Sequence, residues 1–259
     1  MTQRLQHLRF FPGNRNLLKT DPKTVKGVRR RLLVWGDANY RHYPWRAEPA
    51  TPYQVAIAEV LLKRTTATAA ARLFPIFIAE FPDWTALSRA SVKRVAKRLQ
   101  PIGLSNQRAR DLHRLASSVI KAHGGELPKS LDELLKLPGL GPYSARAVLS
   151  VAHGRKAAVV DSNVTRVLKR LFWPEIQRIS PSELQKIADG LVPPRSHRRF
   201  NLALLDLAAK VCRYDRPRCG VCPIARYCGD FDEQVRADMG AARRVGVKRP
   251  PPRAPYPYA

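Results

Sequence analysis

Two carboxylates, a glycine-rich turn and four cysteines are the residues of this chain whose types and spacing could do chemistry. Asp161 ends an apolar run, Ala158-Val159-Val160-Asp161. Before it stands Leu137-Pro138-Gly139-Leu140-Gly141, and a helix is predicted from about Pro142 to Ala152. The two glycines permit positive φ and close approach of another backbone. A helix that starts right after them points free N–H groups outward, which suits a phosphate. A phosphate grip and an acid therefore flank one helix, a layout for chemistry on a nucleic acid strand. The simpler reading is a helix–helix turn followed by an aspartate that caps the helix beginning Ser162-Asn163-Val164.

The second acid, Glu59, interrupts an apolar stretch from Tyr53 to Leu62. Buried there it costs free energy, and its pKa tends upward. At a helix boundary it would simply pair with Lys63. Lys63-Arg64-Thr65-Thr66 makes a cationic, hydroxyl-rich patch one turn beyond it. The cysteines are spaced Cys212-x6-Cys219-x2-Cys222-x5-Cys228. Four thiolates so close in sequence can enclose one metal centre. Zinc and an iron–sulfur cluster both take four cysteines, and spacing alone does not choose between them. Arg213, Arg216, Arg218 and Arg226 interleave with the cysteines, so the loop could also meet a phosphate backbone.

The composition fits that partner. The chain has 259 residues, 44% hydrophobic, enough for one large or two small domains with a real core. Its net charge is +27, which points to a polyanion. Residues 1–30 hold eight Lys/Arg against one acid, and residues 235–259 hold six against one. The body between them keeps +15, so the tails do not explain the excess. The N-terminus lacks the apolar core of a signal peptide, and no window approaches a membrane span. A cytoplasmic, nucleoid-associated protein is expected, where clustered cysteines favour a metal site over disulfides.

The elements that must position these residues are all predicted helical, since no useful length has strand period. Residues 1–24 are expected to form a basic flexible arm, and 231–259 a basic Pro-rich tail. Helices are expected over Val25–Tyr40, over Pro52 to about Phe74, and in shorter pieces to Leu99. Pro101–Arg108 reads as a turn into a basic helix, Ala109–His123. Within that turn Leu104 could protrude as an apolar wedge between bases or serve as a core staple. Pro128–Leu137 leads into the central turn. Asn163–Phe172, Ser182–Leu191 and Phe200–Val211 follow.

With these motifs together, the chain resembles the helix-hairpin-helix DNA glycosylase superfamily of endonuclease III and MutY. The carriers are Leu137-Pro138-Gly139-Leu140-Gly141, then Val160-Asp161, then the cysteine loop. The resemblance implies an all-α fold of two domains. One is a six-helix barrel with the helix-hairpin-helix, over 45–155. The other is an iron–sulfur cluster domain made from 25–44 and 156–230, with a DNA groove between them. It also implies that Cys212, Cys219, Cys222 and Cys228 hold a [4Fe–4S] cluster.

Position 143 distinguishes branches of this superfamily. Endonuclease III-like enzymes carry a lysine there that forms a Schiff base and cuts the strand. Here it is Tyr143, and a phenol cannot form that imine. MutY-like adenine glycosylases usually have serine, and the tyrosine is similar to the archaeal thymine-mismatch glycosylases. Tyr43-Pro44-Trp45-Arg46, Glu59 to Ala67 and Ile102 to Ala109 strengthen that similarity. MutY proteins usually carry a further C-terminal domain for which this chain is too short. The expectation is a monomeric, monofunctional DNA glycosylase of base excision repair, acting on double-stranded DNA with thymine or uracil opposite guanine. The alternatives are an adenine glycosylase acting opposite 8-oxoguanine or guanine, and a non-catalytic DNA-binding cluster protein. The implied catalytic residues are Asp161, Glu59 and Tyr143. Gly139, Leu140, Gly141, Leu104, Lys63, Arg64 and Asn163 are the implied DNA contacts.

Overall fold

A computed structural model of the chain describes residues 21–234. The arm and tail expected at 1–24 and 231–259 lie outside the described residues except at their inner ends. Asp21 caps the first helix, and residues 229–234 are helical. Among the described residues there are helices and no strands. In chain order they are α1 (Pro22–Asn39), α2 (Pro52–Leu62), α3 (Ala67–Glu80), α4 (Trp84–Arg89), α5 (Val92–Leu99), α6 (Ser105–His123), α7 (Leu131–Lys136), α8 (Pro142–Ala147), α9 (Ser162–Leu171), α10 (Pro181–Leu191) and α11 (His197–Lys210). The chain divides into two compact units. One is Arg41–Val159. The other joins the segment up to Tyr40 with the segment from Val160 onward.

In the Arg41–Val159 unit α2 is the central helix. Thr51 and Gln54 form a reciprocal capping box, with Pro52 in the first turn. Val55, Ala56, Ile57, Ala58, Val60 and Leu61 are all buried. A helix apolar on every side must be enclosed, and α2 touches α3, α6 and α8. The single helical run expected from Pro52 to Phe74 is broken after Leu62. Arg64 takes a left-handed conformation, and the Thr66 side chain caps Ala69 N–H to start α3. A threonine followed by alanines is a better start signal than the apolar pattern revealed. The core collects Phe77, Phe81, Leu87, Leu99, Leu112 and Leu115, all at most 1% exposed. The helix after Gly103 starts at Ser105, earlier than the expected Ala109, and ends on left-handed Gly124. Beyond α8 the chain continues as a π-helical turn, Val148–Ala152.

In the other unit Val28, Leu32 and Gly36 form the buried stripe of α1. A Cβ on Gly36 would stand 2.4 Å from the Ala203 Cβ, so α1 and α11 cross closely there. Val164, Val167, Leu168 and Leu171 bury the inner face of α9. After α11 only two single 3-10 turns, Cys219–Val221 and Ala225–Tyr227, punctuate the cysteine loop. No helix among the described residues is long and apolar enough to cross a membrane.

Candidate functional site

Asp161 is the cap of α9. Its Oδ1 accepts Val164 N–H at 2.6 Å, and its Oδ2 accepts the Asn163 amide at 3.1 Å. Capping does not consume the group. The carboxylate is half-exposed, and each oxygen retains a lone pair. Capping instead fixes its direction. Asn163 is held in turn, because Arg166 donates to its Oδ1 at 2.9 Å. Arg166 also donates to Cys212 O at 3.0 Å and Ala208 O at 3.1 Å. A chain of hydrogen bonds thus runs from Asp161 through Asn163 and Arg166 to the backbone of the first cysteine. Burial, first of all, draws the Arg166 pKa down, while the neighbouring Cys212 and Asp161 oppose that.

In the Arg41–Val159 unit Glu59 stands half-buried near the end of α2, and Tyr143 half-buried in the first turn of α8. The hairpin that precedes Tyr143 departs from the two-glycine expectation. Gly139 has φ +85°, but Gly141 has φ −93° and is extended backbone that any residue adopts. A Cβ on Gly141 would meet nothing within 4 Å. Nothing inside the protein demands glycine there, so the vacant space faces outward. Leu140 turns its side chain inward. It is 5% exposed, and its N–H is spent on Leu137 O, because its side chain anchors the turn in the core.

Two further turns belong to this unit. Among the described residues, Arg64 and Leu104 are the non-glycine residues with positive φ, both at 51°. Leu104 is 51% exposed and follows Gly103 at φ +70°. It protrudes, and it is no core staple. Lys63 donates to Gly139 O at 2.6 Å, so its ammonium ties the end of α2 to the hairpin.

The four cysteines are free and half-buried. Arg170, only 7% exposed, lies among them. It donates to Arg213 O at 2.6 Å, to Tyr214 O at 2.7 Å and to the Cys212 Sγ at 3.5 Å. The Cys228 thiol donates to Arg170 O at 3.2 Å. Burial pushes the Cys222 thiol up to about 11 and the Cys228 thiol to about 12. A centre that takes them as thiolates must displace protons and supply positive charge. Among the described residues, no three His, Cys, Asp or Glu side chains are grouped to hold a single ion. Tetrahedral zinc needs all four sulfurs about 2.3 Å from one point. A cluster gives each thiolate its own iron and tolerates a wider set.

Several polar residues here were invisible as site components in sequence. Arg166 and Arg170 read as outward basic residues of an amphipathic helix, and Arg108 as the end of the turn that leads into α6. Tyr43 stacks on Trp45 with centroids 4.9 Å apart, and Arg41 and Arg46 lie over its ring at 5.4 and 5.3 Å. The arginines on either side of Tyr43-Pro44-Trp45 were the only signal of that sandwich.

Residues 57–194 match the family described as HhH-GPD superfamily base excision DNA repair protein. The chain is 35% identical to the thymine/uracil-DNA glycosylase of Methanothermobacter thermautotrophicus, over 78% of this chain and 92% of that protein. It is 34% identical to an adenine DNA glycosylase of Mycobacterium tuberculosis, over 79% of this chain and 67% of that protein. The solved structure of a thermostable thymine-DNA glycosylase superposes with a TM-score of 0.78 at 34% identity, covering 82% of this chain and 98% of that one. A match over more than half of the chain, with relatives this similar along most of their length, makes this protein a member of the HhH-GPD superfamily of base excision DNA repair proteins.

Proposed function

We propose that the chain is a monofunctional DNA glycosylase that hydrolyses the N-glycosidic bond of thymine or uracil opposite guanine. The observation that carries this reading is the residue after the hairpin. Tyr143 stands one residue into α8, where a strand-cutting relative would present an amine. A phenol can line a pocket and contact a base or its sugar, but it forms no imine. The pyrimidine choice is supported by the thymine/uracil-DNA glycosylase relative, which is matched over 92% of its length.

Bond cleavage develops positive charge on the sugar, and a fixed carboxylate stabilises it. Asp161 is assigned that role, with the positioning of the attacking water. Its two hydrogen-bonded neighbours orient it without neutralising it. Glu59 is assigned to the leaving base, as proton donor or recognition group. The reacting atoms are stacked in a duplex, so the nucleotide must be extruded, and a mismatch lowers that cost. Leu104 is assigned as the wedge, and Arg64 as the residue that fills the vacated space beside the orphan guanine. Gly139 and Gly141 bring the hairpin backbone against a phosphate without reading sequence. Leu140 supports the hairpin from beneath. Asn163 and Lys63 act through Asp161 and the hairpin, in addition to any contact with the strand. A [4Fe–4S] cluster on Cys212, Cys219, Cys222 and Cys228 would close the arginine-rich loop, and it is given no redox step.

An adenine glycosylase is the second reading, favoured by the 34% identical mycobacterial relative. Single-turnover base release on G·T, G·U, A·G and A·8-oxoguanine duplexes, with and without alkali, separates the two. Pyrimidine release that needs alkali to break the strand is expected. Adenine release would move the protein to the other branch and make Glu59 the acid for a departing purine. Strand cleavage without alkali would overturn the monofunctional assignment.

A further inference from the structure

We infer that Arg108 is a positioning residue that joins Arg64 and Leu104 into one preformed, duplex-opening element. This rests on the reading of the protein as a base-extruding enzyme. Arg108 lies in the first turn of α6 and is 3% exposed. Its main chain makes the first hydrogen bond of α6, and its side chain holds a different loop. The backbone N–H donates to Leu104 O at 2.9 Å. The guanidinium reaches the C-terminal end of α2, donating to Leu61 O at 3.2 Å, to Lys63 O, and to the Thr65 hydroxyl at 2.6 Å. The carbonyl before Arg64 and the hydroxyl after it are therefore both bound to Arg108.

Arg64 and Leu104 are the non-glycine residues held in left-handed backbone among the described residues. A non-glycine residue keeps that conformation only where its surroundings over-determine it. Here the Arg108 guanidinium supplies the constraint on the Arg64 side, and its link to the 102–104 turn runs through the Thr65 hydroxyl. Thr65 Oγ1 lies 3.5 Å from Ile102 O, closing that link between the turns. Lys63 extends the connection to the hairpin through Gly139 O. A helix C-terminus on its own asks for less. Its carbonyls can be satisfied by water or by an exposed cation. Burying a guanidinium costs desolvation, and the Arg108 Nε has no hydrogen-bond partner. The cost is met where geometry matters, since three acceptors in a planar fork fix distance and angle together. The wedge and the gap-filling residue then enter the duplex as a pair with set spacing.

The test uses the full chain with Arg108→Gln, and Thr65→Val as a second variant that keeps the guanidinium bonds to Leu61 O and Lys63 O and removes only the hydroxyl link. In the free protein, hydrogen exchange should rise together at residues 63–66 and 102–106, while α4 keeps its protection. Loosening confined to 63–66 would overturn the coupling. In single-turnover assays, uracil release from a G·U duplex should fall about 30-fold or more in Arg108→Gln, while release from single-stranded uracil DNA, which needs no extrusion, stays within about threefold. Equal losses on both substrates would reduce Arg108 to a structural residue and overturn the proposal. No release by the wild type from either substrate would instead sink the glycosylase reading, and the exchange data would still decide the coupling.

Discussion

In the Arg41–Val159 unit the turns at 63–66, 102–104 and 138–141 sit on a dense apolar floor. Phe77, Leu61, Leu99 and Leu112 are fully buried beneath them, and one arginine, Arg108, joins two of the three turns. In the other unit the stretch from Cys212 to Cys228 has little such floor. Ile224 is its one fully buried apolar side chain among the described residues, and Arg166 and Arg170 hold its first carbonyls. Burial, with the hydrogen bonds of Arg108 and Lys63, organises the first set of turns to near completion. The second relies on charge and hydrogen bonds, with the proposed cluster to complete it, because four half-buried thiols contribute little packing. Stability and loop order should therefore respond to different insults in the two units.

The largest expected effect comes from removing a cysteine. Cys222→Ala should release residues 212–228 to fast hydrogen exchange and abolish the visible absorption of a bound cluster. The Arg41–Val159 unit should stay protected, and loss of protection there would erase the distinction between the units. The converse variant is Phe77→Ala, which should destabilise the Arg41–Val159 unit by about 3–5 kcal/mol, as loss of a fully buried ring does. Chemical denaturation followed at Trp45 and Trp84 should report it.

Asp161→Asn separates capping from chemistry. Asparagine still accepts Val164 N–H, so α9 should persist, while base release falls by roughly a thousandfold. Duplex binding measured by fluorescence anisotropy should be unchanged. Full activity would leave Asp161 as a cap only. Arg170→Met should cost about 2–3 kcal/mol, because it strands Arg213 O and Tyr214 O without donors. Hydrogen exchange should place that loss in the cysteine loop.

The smallest effect concerns Glu80, between Arg94 at 2.8 Å and Arg98 at 2.5 Å. The Arg94 hydrogen bond, with Arg98, holds its carboxyl below the ordinary value of 4.5. A depressed acid contributes stability that is full above its unfolded pKa and is lost as pH falls through the folded one. Thermal scans below pH 4.5 should show a gentler acid limb in Glu80→Gln than in the wild type.

Much of this was legible along the chain. The all-helical class, the hairpin and the cysteine loop follow from local spacing. So do most helix starts, since Thr51, Asp83, Ser91, Ser130 and Ser180 each cap a helix within three residues. The errors were also local competitions. The break after Leu62 falls at Lys63-Arg64-Thr65-Thr66, which reads in sequence as a patch on one continuous helix because apolar and alanine residues resume at Ala67.

The sequence by itself determined the chemistry on offer: a carboxylate at 161, an acid at 59, a phenol at 143, and four thiols in one loop. Residue type and short spacing suffice for that. Tertiary structure decided which groups are held and by what. Lys63 reaches Gly139 across 76 residues, Arg108 reaches Leu61 across 47, and Arg166 reaches Cys212 across 46. Such partners are carbonyl oxygens, which every residue carries, so no side-chain pattern marks them. Only folding brings a particular carbonyl under a particular cation, and that pairing turns a basic helix residue into the support of a site.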